Sequence, residues 1–163
     1  MDDSFYDTAQ VCLNGHLITC NYHLHPVHRQ QCCQTCGEST TIRCTNCAAE
    51  IRGSYEVPGV AWMGAPSPPP NFCHNCGESY PWTKRRLEAA KELAEEFDNL
   101  DETEINKLKG ALDDLVRETP KSEAAGLRFK KLMAKAGKES FGAMKKVLVD
   151  VVSETVKKSI FGG

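Results

Sequence analysis

Four short segments each carry two side chains able to ligate a soft divalent metal. They are CLNGH (Cys12, His16), CQTCG (Cys33, Cys36), CTNC (Cys44, Cys47) and CHNCG (Cys73, Cys76). Each pair sits on one tight turn, and Gly15, Gly37 and Gly77 suit the positive φ that such turns demand. Two such knuckles supply the four donors of a tetrahedral site. Eight donors therefore predict two structural Zn2+ ions, one held by three thiolates and an imidazole, the other by four thiolates. Pairing of neighbours joins Cys12, His16, Cys33 and Cys36 across 16 intervening residues, and Cys44, Cys47, Cys73 and Cys76 across 25. A crossed pairing, first with third and second with fourth, stays open because only seven residues separate Cys36 from Cys44. Cys32 could replace Cys33, although CxxCG is the commoner knuckle.

The donor count argues against catalysis. A catalytic zinc keeps one position for water, whereas each expected site here is filled by protein. No HExxH or deaminase-type HxE…PCxxC pattern occurs, and no P-loop or dinucleotide fingerprint. The four thiolates alone would also suit iron, but His16 tips the first site toward zinc. Thioredoxin-like redox chemistry would need one CxxC in a βαβ context. Cys20 reads as a small buried hydrophobe. His23, His25 and His28 read as solvated loop residues rather than a third metal site, and His74 faces solvent within its knuckle. Ala65–Pro70 (APSPPP) reads as a stiff connector rather than a ligand for a partner's groove.

These turns must be held by short elements. All nine Cys lie between Cys12 and Cys76, in a region poor in Leu, Ile, Val and Phe. Such a region buries little apolar surface and needs a staple. Strand-like pieces, Leu17–Thr19, Thr40–Arg43 and Ile51–Val57, lie between the knuckles. Short strands closed by two knuckles make a zinc ribbon, so residues 1–83 are expected to form a double ribbon. Residues 84–163 are expected to be all-α, about four helices of 16 to 23 residues. The first carries Leu87, Ala90, Ala94 and Phe97. Asp101 with Glu104 opens the second as a capping box, followed by Ile105, Leu108, Leu112 and Leu115. Thr119-Pro120 reads as cap and first residue of the third, with Ala125, Phe129, Leu132 and Ala136 as its stripe. Gly137 closes it. A single last helix over 139–161 carries Phe141, Met144, Leu148, Val151, Val152 and Thr155.

Charge separates the same regions. Residues 1–83 hold three basic and seven acidic side chains, residues 84–163 hold 17 and 15, and the chain sums to −2. Two zincs and seven thiolates would take the first region from −4 to about −7, which repels a phosphate backbone. Residues 119–163 carry +6, including Arg128, Lys130, Lys131, Lys135, Lys138, Lys145 and Lys146. That stretch keeps open an alternative reading, a nucleic-acid-binding accessory factor using helices within 119–149. No uncharged apolar run is long enough for a transmembrane span, and MDDSFYDTAQ lacks an apolar signal region. The expectation is a cytoplasmic protein with reduced thiols.

The segments QVCLNGHLIT, CCQTCGESTTIRCTNC, AEIRGSYEVPGV and FCHNCGESYPWT resemble a family of small, uncharacterised bacterial proteins. That family is described by a double zinc-ribbon segment and has no assigned activity. The likeness covers roughly residues 9–83, and the tail LRFKKLMAKAGKES…LVDVVSETVKKSIFG is similar to helical tails in the same family. It implies metal ligands at Cys12, His16, Cys33, Cys36, Cys44, Cys47, Cys73 and Cys76, and carries over no catalytic residue. HRQQCCQTCG also faintly resembles the basic motif of FYVE-type lipid-binding fingers, but only Arg29 and histidines stand where a basic cluster is required. The expected protein is therefore non-enzymatic. Structural zinc ribbons are joined to a helical region for self-association or protein-partner binding, with no small-molecule substrate.

Overall fold

A computed structural model describes residues 3–162; Met1 and Asp2, in the acidic N-terminus, lie outside the described residues. The chain divides into two compact units, Met1–Lys84 and Arg85–Gly163. A small β region with two Cys-rich clusters precedes five helices among the described residues.

In the first unit β1 (Phe5–Thr8) pairs antiparallel with β5 (Arg52–Glu56), setting Tyr6 opposite Tyr55 and Thr8 opposite Arg52. A second sheet has the order β3-β2-β4, with β2 (Gln10–Cys12) between β3 (Leu17–Thr19) and β4 (Thr40–Thr41). The expected strand at 40–43 is thus only two residues long. β1 and β2 carry no expectation above, because FYDT and QVC are too short for alternation to register. Gly53 is required by close approach: a Cβ there would lie 2.1 Å from the Cys20 carbonyl oxygen. The core is small: Ala9, Val11, Ile51, Tyr80 and Trp82 bury together with Cys44 and Cys73. Tyr80 and Trp82 stack at 4.6 Å, and the Trp82 indole N–H donates to the Pro70 carbonyl at 2.9 Å. That bond ties the far end of the proline run to the core.

Five helices follow where about four were expected. They are α1 (Pro81–Glu95), α2 (Glu102–Val116), α3 (Ser122–Ala136), α4 (Lys138–Leu148) and α5 (Glu154–Phe161). The expected last helix is broken at 149–153. Val151 and Val152 are both buried there, and the Ser153 hydroxyl accepts from the Val156 amide to start α5. Adjacent β-branched residues are poor helix formers and Ser is a strong cap, so the chain turns and buries both valines. Thr155 is exposed rather than on the apolar face. The ladder of α3 begins at Ser122, not Pro120. Thr119 still acts as a local cap, its hydroxyl accepting from the Lys121 amide at 3.2 Å. Asp101 and Glu104 form the expected capping box. Gly137, at φ +104, ends α3 and opens α4.

The helical core contains Leu108, Leu112, Leu115, Phe129, Met133, Met144, Leu148 and Val151, all essentially inaccessible. Met133 takes the place expected of Leu132, which is half-buried. α3 contacts α2, α4 and α5, and its Gly126 lets Ile160 of α5 approach closely. Lys91 with Asp113 (2.9 Å) and Lys109 with Glu95 bridge α1 and α2 at the surface. Among the described residues no helix is long and apolar enough to cross a membrane.

Candidate metal centre

The first knuckle is the turn of the β2–β3 hairpin. The Gly15 amide donates to the Cys12 carbonyl at 2.8 Å, and Gly15 takes φ +90. The other three share one local fold. The amide four residues after the first Cys donates back to that Cys: Gly37 to Cys33, Ala48 to Cys44 and Gly77 to Cys73, at 2.7–2.9 Å. The first Cys amide in turn donates to the carbonyl five residues on: Glu38, Ala49 and Glu78, at 2.8–2.9 Å. This bond pattern demands a left-handed residue, supplied by Gly37 and Gly77 at φ +74. In the third knuckle Ala48 takes φ +62 instead, an unfavourable choice for a residue with a Cβ.

Tertiary structure brings the eight donors together as two groups of four. Cys12, His16, Cys33 and Cys36 form one, and Cys44, Cys47, Cys73 and Cys76 the other, each with donor atoms within 4.8 Å of one another. Neighbouring knuckles meet, and the crossed arrangement does not occur. Cys33 is in the group, whereas Cys32 is exposed and bridges Ser39 from the outside. Sulfur–sulfur separations are 3.8 Å for Cys12–Cys36, 3.7 Å for Cys44–Cys76 and 3.6 Å for Cys47–Cys73. A disulfide needs about 2.05 Å, and all nine cysteines are free. A tetrahedron with metal–sulfur bonds of about 2.3 Å has edges of about 3.8 Å. Replacing one sulfur by an imidazole nitrogen at about 2.0 Å shortens the edge to about 3.5 Å. His16 Nδ1 lies 3.4 Å from Cys12 Sγ and 3.6 Å from Cys33 Sγ. Both groups therefore fit a four-coordinate divalent ion.

The surroundings favour ionised sulfur. Against the upward pull of burial, the Thr35 and Cys36 amides lower the Cys33 thiol to about 6. For Cys73 the Cys76 amide leads, burial opposes, the Asn75 amide adds, and the thiol again falls to about 6. Cys47 is lowered chiefly by the Asn75 side chain. Burial pushes Cys12 and Cys44 up, which a bound cation would reverse. Two asparagines, unremarked in the sequence reading, reach across between knuckles. Asn14 Nδ2 donates to Cys36 Sγ and Asn75 Nδ2 to Cys47 Sγ, both at 3.5 Å. Such outer donors orient ligand sulfurs and disperse their charge. Their sequence signal is Asn inside a knuckle (CLNGH, CHNC); in CTNC only the Asn46 backbone amide donates to Cys44 Sγ, at 3.4 Å. Beside the second group the Tyr80 hydroxyl is buried, with no hydrogen bond of normal geometry among the described residues. Burial, and after it the charge of Cys73, push its ionisation above the ordinary range.

The remaining singled-out residues lie apart. Cys20 is half-buried and donates to Asn21 Oδ1 at 3.1 Å. His23, His25 and His28 are exposed. The loop carrying His23 is anchored by buried Asp7, whose carboxylate accepts from the His23 and Leu24 amides. His23 sits 3.5 Å from Glu50, His25 and His28 are 6.1 Å apart between ring centres, and these histidines join no metal-sized cluster among the described residues. His74 is exposed.

Residues 5–160 match the model of a family described as an uncharacterized protein conserved in bacteria (DUF2321). The chain belongs to that family. Within it, the two four-donor clusters of this member fit a double zinc-ribbon-like arrangement. No curated protein and no solved structure matches the chain.

Proposed function

We propose that this DUF2321 member is a non-enzymatic, cytoplasmic zinc protein. Two structural Zn2+ ions hold its ribbons, and its helical unit serves self-association or binding of a protein partner. The observation that carries the zinc assignment is the pair of four-donor sets with tetrahedral edge lengths. His16 among the donors of the first set favours zinc over iron. Cys12, His16, Cys33 and Cys36 would hold one ion, and Cys44, Cys47, Cys73 and Cys76 the other. A filled donor shell supports a structural rather than a catalytic role. Native mass spectrometry of protein purified without chelator tests the reading. Two zincs per chain are expected; one metal, or iron, overturns it.

One observation favours a second reading, a nucleic-acid-binding accessory factor. Arg128, Lys130, Lys131, Lys138 and Lys146 of α3 and α4 are exposed and form no ion pair among the described residues, although Lys135 is neutralised by Glu104 at 2.6 Å. That reading requires binding that weakens steeply with salt and vanishes when these side chains are neutralised.

A further inference from the structure

The second, third and fourth knuckles are each closed by an antiparallel bridge: Cys32 with Ser39, Arg43 with Glu50 and Phe72 with Ser79. Side chains alternate between the two faces of such a pair. The first Cys of each knuckle and the residue seven positions on therefore share a face. Those residues are Thr40, Ile51 and Tyr80. Their amides donate to the Gln31, Ile42 and Asn71 carbonyls at 2.9–3.2 Å, which fixes the register. Three equivalent positions thus carry three different side chains. Thr40 Oγ1 donates to the Gln30 carbonyl at 2.7 Å and accepts from the Gln10 side-chain amide at 2.9 Å, so its hydroxyl is engaged away from the sulfurs. Ile51 is buried and apolar. Tyr80 is 1% exposed, yet its hydroxyl makes no hydrogen bond of normal geometry among the described residues. A buried hydroxyl in that condition is destabilising, and a Phe would fill the same space without the penalty. After burial, what acts on this hydroxyl is the second donor set, Cys73 most, then Cys44 and Cys47.

The second set is also the one with more charge to disperse. Four thiolates around a divalent ion leave a formal −2, whereas three thiolates and a neutral imidazole leave −1. Cys73 and Cys44 are 3% and 5% exposed, so water hardly reaches them. A metal-bound thiolate has lost its proton and can only accept, and a phenol beside it can donate. Hydrogen bonds to an ionised acceptor are roughly twice as strong as neutral ones.

We propose that Tyr80 is a positioning residue of the second site, its hydroxyl donating to the Cys73 thiolate when metal is bound. The proposal rests on the two-zinc reading above. The bond ties the four-thiolate site to the stacked Tyr80–Trp82 pair, and through the Trp82 indole to the Pro70 carbonyl. The first site has no counterpart, because the Thr40 hydroxyl is engaged by Gln10 and Gln30.

Cadmium NMR of the full chain, loaded with Cd2+ under reducing conditions, tests this. Wild type should give two cadmium resonances, one from a four-sulfur site and one from a site of three sulfurs and a nitrogen. A single metal per chain overturns the two-zinc reading itself, and this inference with it. With both sites filled, the Tyr80 hydroxyl proton should be protected from exchange and correlate with the four-sulfur cadmium alone. Tyr80→Phe keeps the ring and its stack on Trp82 and removes only the oxygen. It should shift the four-sulfur resonance and leave the other in place. Zinc retention at that site should weaken about tenfold in competition with a colorimetric chelator. A four-sulfur site that holds zinc as tightly or more tightly in Tyr80→Phe overturns the proposal, because the hydroxyl then had no partner to lose. Equal weakening of both sites also overturns it, since that reports a loosened core. If the variant does not fold, the wild-type correlation decides alone, and its absence overturns the proposal.

Discussion

The two units are of similar length and solve the same problem by different means. In Arg85–Gly163, every helix contributes buried apolar side chains, with Phe129, Leu112, Met144 and Leu148 fully buried. In Met1–Lys84 the apolar cluster holds five residues other than cysteine, and two of its members, Cys44 and Cys73, belong to the second donor group. A core of that size does not offset the chain entropy of about 80 ordered residues. On the proposed reading the cross-links come from metal at the two donor clusters, which would concentrate stability in the ribbon unit at two points, whereas in the helical unit it is spread over many contacts.

The largest expected effect breaks that contrast at its root. Removing metal with a strong chelator, or substituting Cys44→Ser, should unfold the ribbon unit. Structural zinc supplies on the order of 10 kcal/mol of apparent folding energy per site. Near-UV circular dichroism of the Tyr80–Trp82 stack should collapse while far-UV helix signal persists. Ribbons that survive without metal would refute the comparison.

Acid should separate the units next. Cys33 and Cys73 ionise at about 6 in the folded chain, against 9.0 for an unperturbed thiol. The stability their ionisation confers is therefore present above the unperturbed value and lost as pH falls through about 6. Bound metal moves that loss lower still. Metal release into a colorimetric indicator is thus expected only below about pH 6. The helices should persist there, because Glu104 and Glu154, both lowered chiefly by their lysine partners, stay ionised until lower pH.

Phe129→Ala should reverse the pattern. Emptying that buried position costs about 3–5 kcal/mol, lowering the melting temperature of the helical signal with no change in metal stoichiometry. Asp101→Ala removes the acceptor for the Glu104 amide and should cost about 1 kcal/mol, again in the helical unit alone by chemical denaturation. The smallest effect sharpens the comparison from the ribbon side. Ala48→Gly relieves a left-handed Cβ and should raise the apparent metal-loaded stability by a few tenths to about 1 kcal/mol. A loss there would mean that the Ala48 methyl contributes packing that outweighs its strain.

Much of the donor chemistry was legible because a knuckle is a local object. A CxxC or CxxxH turn, its glycine and its amide-to-carbonyl bonds all lie within about seven residues, and the repeated CxxCGES string marks the second and fourth knuckles as the same structure. The capping box at Asp101 was legible for the same reason. Less could be read where an element depends on its neighbours. β1 and β2 are short and polar, and exist because β5, β3 and β4 supply their hydrogen bonds. Tyr80 and Trp82 carry no expectation in the sequence, yet they complete the ribbon core.

By itself the sequence determined which atoms can bind metal, because ligand type and turn spacing are set over a few residues. It also determined the helical character of the second unit through apolar spacing. Tertiary structure decided that neighbouring knuckles meet and that the last helix breaks before Ser153, while it bore out the choice of Cys33 over Cys32 that the CxxCG spacing favours. Partner choice among knuckles depends on the paths of chain segments, and those paths follow from strand pairing and the Trp82 anchor. The helix break follows from burial, since Val151 and Val152 both reach the interior only if the chain turns between α4 and α5.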